Sequence, residues 1–252
     1  MDLSNSWSVA LKDFAIFRKK RYVLYSLIII PILVSIGFPA LIQFLVSEQG
    51  LPPGGLSPSD IATVSSVLNA FSFFFILIAA LLPVTLASYS IIGEKVEKSL
   101  EPLLATSMTD SEILVGKSLA AFLPALASTY IGAVIFMVLI DATTYSLLGF
   151  FFFPNWNMAV ILLLLIPAAC LFSVELNLII SSRINDIRAS AQLGLLALIP
   201  FGVVYVMIEV SYIQINVMNL SSIFAAVLVA DLALSYLVKS IFRREEILTK
   251  WR

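Results

Sequence analysis

The 252 residues are 60% hydrophobic and only 12% charged, about half the charged share of an ordinary water-soluble domain. With a mean hydropathy of +1.03 this is the composition of an integral membrane protein, and a net charge of −1 offers nothing to a nucleic acid. The chain has no histidine, which excludes Ser-His and Cys-His dyads, HExxH zinc sites and haem held by histidine, while the single Cys170 cannot close an intrachain disulfide.

Residues 1–21 come first in chain order. Trp7, Leu11, Phe14 and Phe17 recur at helical spacing opposite Lys12, Asp13, Lys19 and Lys20, predicting an amphipathic helix in the cytoplasmic interface. Its charges are not followed by a small-residue cleavage site, so no cleaved leader is expected. Residues 22–252 then form one domain of six apolar runs long enough to span a bilayer. They are Tyr22–Val46, Val67–Ile92, Lys117–Ile140, Met158–Ile180, Ser190–Ile208 and Ser221–Phe242. Prolines 31, 39, 83, 124, 167 and 200 lie inside these runs, where a membrane helix kinks at proline without ending. The expected fold is all-α.

The fifteen Lys and Arg residues fall in the N-terminal segment, between spans two and three, between spans four and five, and at the C-terminal end. The loops Ser47–Thr63, Asp141–Asn157 and Glu209–Leu220 hold none. That asymmetry predicts a multi-pass protein of the cytoplasmic membrane with both termini in the cytoplasm. The outer stretch Tyr145–Trp156 (YSLLGFFFFPNW) is too apolar for a free loop. It either dips into the outer leaflet or extends the end of span three.

Two stretches carry chemical signals. Gly116-Lys117-Ser118 ends like a nucleotide-binding loop, but a phosphate loop needs a glycine five residues earlier, where Ser111 stands. Without it, the tripeptide reads as the entrance of span three at the membrane surface, and nucleotide binding in this chain is not expected. The segment 93–117, GEKVEKSLEPLLATSMTDSEILVGK, is the more informative one. Val96, Leu100, Leu103 and Leu104 share one helical face, with Glu94, Glu97, Lys98 and Glu101 on the remainder. Ser99 before Pro102 makes a helix start, and Thr109 with Glu112 makes a capping box. An apolar face edged with acid suits a protein groove better than the anionic inner leaflet.

This segment resembles the signature of the type-2 ABC transporter permease family, on Glu94, Ser99, Glu101, Leu103, Leu104, Thr106, Gly116 and Lys117. The six spans, the N-terminal helix and the short loop Ser181–Gln192 are similar to that family too, though Ser107 stands where proline is usual and Ser99 where threonine is common. The resemblance implies an exporter permease with a coupling helix between spans two and three, at about Ser99–Met108. Glu94, Ser99, Leu100, Glu101, Leu103, Leu104 and Thr106 would then serve coupling to the ATPase. It implies two copies of a separate ATPase subunit, which hold the ATP and Mg, and a second permease copy as homodimer or related heterodimer. No cofactor, metal or catalytic residue is implied in this chain, and Lys117 becomes a juxtamembrane anchor.

Glu175 and Asp231 are ionisable groups inside spans, with Asn177 close by. Such groups face a bundle interior or a water-filled path. They either contact substrate or an ion, or form structural carboxyls reached by Arg183 and Lys239, two turns beyond. An ion-driven carrier or channel would use the same two carboxyls but would not need segment 93–117. An intramembrane enzyme is disfavoured by the absence of Gly-x-Gly-Asp and Gly-x-Ser-Gly runs.

Overall fold

A computed structural model describes residues 3–49, 58–96 and 108–241 of the protein. Seven helical elements account for nearly all of them, with no strand among the described residues. They are α1 (Leu3–Lys19), α2 (Arg21–Gln49), α3 (Pro58–Ser88), α4 (Asp110–Leu148), α5 (Trp156–Arg183), α6 (Ile187–Glu209) and α7 (Val217–Ile241). The last six are long and apolar enough to cross a bilayer, so the six expected spans are all present. A π-helical turn, Tyr89–Gly93, and a short turn, Glu94–Val96, continue α3.

Span two is the axis of the bundle. Its apolar window is 72% buried, against 17–50% in the other five, which matches a helix apolar all round. It lies against α4, α5 and α6, while α2 and α7 dock at the periphery on α4 and α5. Small residues let α4 approach α2 closely: a Cβ at Gly132 of α4 would stand 2.7 Å from Pro31 Cβ of α2. There the Ser35 hydroxyl donates to the Gly132 carbonyl at 2.6 Å, and Ser128 donates to Leu27.

Helix α4 corrects a boundary. Thr109 and Glu112 do form the expected capping box, but it opens the third spanning helix itself, 39 residues long. Gly116-Lys117-Ser118 is therefore two turns inside α4, not at its entrance. At the far end Gly149 caps α4 in the left-handed conformation (φ 74°), and 149–155 forms an irregular strap. Asp141 holds that strap by accepting from the N–H groups of Phe152 (2.9 Å) and Phe153 (3.1 Å), and Phe153 is buried against Phe136.

Candidate functional site

The ends of the bundle that carry the cations converge where α1, the close of α3 and the first turns of α4 meet. Helix α1 lies along α4, and the contact is set by Gly116, where any Cβ would come within 2.6 Å of the Ser6 carbonyl oxygen and 2.7 Å of Val9 Cβ. The inward side of α1 is Ser6, Val9, Ala10, Asp13 and Phe17, at helical spacing. This corrects the expected face: Asp13 is buried with Phe17, whereas Trp7 and Leu11 are exposed.

Four charges interlock at this junction. Lys117 is 0% exposed; its ammonium stands 2.7 Å from Glu94 Oε2 as an ion pair and donates to the Ser90 carbonyl, also at 2.7 Å. It stands 3.7 Å from Asp13 Oδ2, which also accepts from the Ser90 hydroxyl. Lys12 donates to Glu94 Oε1 at 2.6 Å. Two buried anions thus face two cations across three helices, and the Ser90 carbonyl that Lys117 caps belongs to the π turn. Lys20, over the Tyr89 ring at 5.3 Å, and Phe17 on the same ring extend the contact. Lys12 is 41% exposed, so its pair is screened by water and contributes little.

Lys117 is accordingly not a surface anchor. Glu94, expected on an exposed acidic face, is buried and engaged internally for the same reason: its partners come from α1 and α4. The adjoining cavity, beside Asp13 and Glu94, measures about 10 Å³, room for a single water. Ser99, Leu100, Glu101, Leu103, Leu104 and Thr106 lie outside the described residues.

The intramembrane residues divide. Glu175 and Asp231 are both buried and sit within electrostatic reach of one another, where α5 packs on α7. One oxygen of each, Oε2 and Oδ1, has no hydrogen-bond partner among the described residues. Lys239 also faces Glu175. Asn177, two residues on, points the other way. Its amide donates to the Val84 carbonyl at 3.1 Å, and its oxygen accepts from Ser88 at 2.8 Å and from Ser190 at 3.4 Å. Gly194 allows this: a Cβ there would fall 2.1 Å from Asn177 Nδ2. Asn177 therefore knits α3, α5 and α6 and belongs to no shared site with the two carboxyls.

Burial pushes the Asp13 carboxyl above its ordinary value of 3.8, with Lys117 and the Ser90 hydroxyl opposing. Between that raised value and 3.8 the folded chain holds a proton the unfolded chain has released, so Asp13 favours folding more as pH falls through this window. Asp13→Asn should remove that dependence. Thermal unfolding of both chains from about pH 7 down to about pH 4 checks it; parallel pH profiles would contradict the assignment.

No family model matches the chain, and no curated protein matches it.

Proposed function

We propose that this chain is the membrane-spanning permease subunit of an ATP-driven exporter of the type-2 ABC class. The observation that carries the reading is the junction itself. The acidic-edged segment between spans two and three is flanked by Glu94, in the turn that closes span two, and by Thr109, which caps span three. Both flanks of that segment are tied to one ion-pair cluster, through Glu94 on one side and Lys117 on the other. A push on such a segment is delivered to spans two and three and to α1 together.

In this reading both termini and the junction face the cytoplasm, because every described Lys and Arg lies in the N-terminal segment or near the span ends that adjoin it. Helix α1 lies in the interface with Trp7 and Leu11, each about half exposed, toward lipid. Tyr145, Trp156 and Tyr212 are exposed at the other end, as an interfacial belt requires. ATP and Mg reside on two ATPase subunits, and a second permease copy completes the transporter. The substrate is a hydrophobic or amphipathic compound moved out of the cytoplasm.

Leu103→Ala with Leu104→Ala tests the coupling. Each leucine buried in a partner groove contributes roughly 1.5–3 kcal/mol, so the double variant should insert normally and lose its ATPase on purification. A wild-type ratio of ATPase to permease in that variant would remove the coupling assignment.

The facing Glu175 and Asp231 favour a second reading, an ion-driven carrier. It requires that Glu175→Gln abolish transport while an ATPase is absent from the purified protein; ATP-dependent transport by that variant would dismiss it.

A further inference from the structure

An apolar groove of about 200 Å³ opens on the side of the bundle between α2, α3 and α6. Its polarity is graded along the membrane normal. On α2, Ser26 lies nearer the basic end than Ile30; on α3, Thr85 lies nearer than Leu81; on α6, Gln192 lies nearer than Leu195. All three polar lining residues therefore sit toward the basic end, and the deeper wall is aliphatic. Just beyond them, Arg188 is one helical turn from Gln192 on the same face of α6, and Arg21 opens α2. Both arginine side chains are exposed, without an ion-pair partner among the described residues, and so is the Gln192 amide without a hydrogen bond.

We infer that this groove holds an anionic phospholipid of the leaflet on the basic side. An acyl chain lies along Ile30, Leu81 and Leu195, the glycerol region meets Ser26, Thr85 and Gln192, and the phosphate meets Arg188. The order of chemistry along the groove, aliphatic then hydroxyl and amide then guanidinium, is the order along a phospholipid. A second protein copy would have to bury Arg188 and the Gln192 amide against a matching acidic or polar strip. Much of the outward surface of the described spanning helices is aliphatic instead: α2 shows Ile28, Ile29, Ile32 and Leu33, and α7 shows Val229, Leu232 and Leu237. Basic pockets between spanning helices on the cytoplasmic side recognise anionic headgroups in this way. The inference depends on the six spans and not on the coupling to an ATPase.

The experiment is native mass spectrometry of the full chain released from nanodiscs containing dioleoyl phosphatidylglycerol and dioleoyl phosphatidylcholine in equal amounts. The wild type should retain one lipid per chain and prefer the glycerol lipid by about fivefold, the worth of one arginine at a charged surface. Arg188→Gln should keep the lipid and lose the preference. Ala191→Phe, which fills the groove, should retain neither lipid. A wild type that releases all lipid, or holds both lipids equally, overturns the inference. So does an Ala191→Phe chain that keeps its lipid and changes its oligomeric state, which would give the groove to a second copy. Arg188→Gln leaves the groove wall intact, so the headgroup preference is decided even if Ala191→Phe fails to fold.

Discussion

Lys117→Met should be the most damaging single substitution at the junction of α1, α3 and α4, lowering stability by about 3–5 kcal/mol. Removing one partner of a buried ion pair leaves an uncompensated charge, and that loss exceeds what the pair itself contributes. Here the stranded group is chiefly Asp13, 1% exposed, since Glu94 keeps Lys12. The Ser90 carbonyl loses its donor as well. Adding Asp13→Asn to Lys117→Met should recover part of the loss, because the buried anion then leaves with its cation; the coupling between the two changes is the quantity to measure. Thermal unfolding in mild detergent gives it. A single Lys117→Met variant as stable as the wild type would mean that the cluster does not hold the junction together.

Gly116→Val should release α1 from the bundle while the six spans stay assembled. Two close contacts meet the new side chain, the Ser6 carbonyl at 2.6 Å and Val9 Cβ at 2.7 Å from the first carbon alone. The nearer is backbone and cannot swing aside. Overpacking of this kind costs about 1–3 kcal/mol, enough to favour an undocked α1 because that helix meets the bundle on one side only. Limited proteolysis should then cut within residues 3–20, with the remainder protected. Gly202→Ala is the control: nothing lies within 4 Å of a Cβ there, and alanine improves helix propensity by up to about 1 kcal/mol. Equal protection of α1 in the Gly116→Val and Gly202→Ala chains would contradict the packing argument.

The six spans were legible because lipid demands about twenty apolar residues in a row, and each run here is bounded by polar or charged residues. Ends were less legible. Hydropathy starts span three at Lys117, whereas the Thr109–Glu112 capping box starts the helix at Asp110; the cap was readable, and its consequence for the position of Lys117 follows by counting two turns. The ion-pair cluster was not legible as a unit. Lys12, Asp13, Glu94 and Lys117 come from three segments far apart in the chain, and only the approach permitted at Gly116 brings them together. The periodicity of α1 misled for a related reason: Phe17 shares the large-apolar spacing of Trp7 and Leu11, yet packing on α4 draws it and Asp13 inward. Glu175 and Asn177 were grouped by proximity in sequence, but residues two apart on a helix point about 200° apart, so they serve different neighbours.

Helix α4 is 39 residues long, roughly 58 Å at 1.5 Å per residue, about twice the thickness of the hydrocarbon layer it crosses. Lys117 near one end and Asp141 near the other are separated by about 36 Å of continuous helix. Asp141 grips the strap 149–155, and Lys117 is clamped to α1 and α3. The helix is thus a rod held at both sides of the membrane, with Pro124 inside it as the place where it bends most easily. Pivoting the rod by ten degrees about its clamped end would carry the strap sideways by about 6 Å, a mechanical gain by which a small displacement on one side becomes a large one on the other.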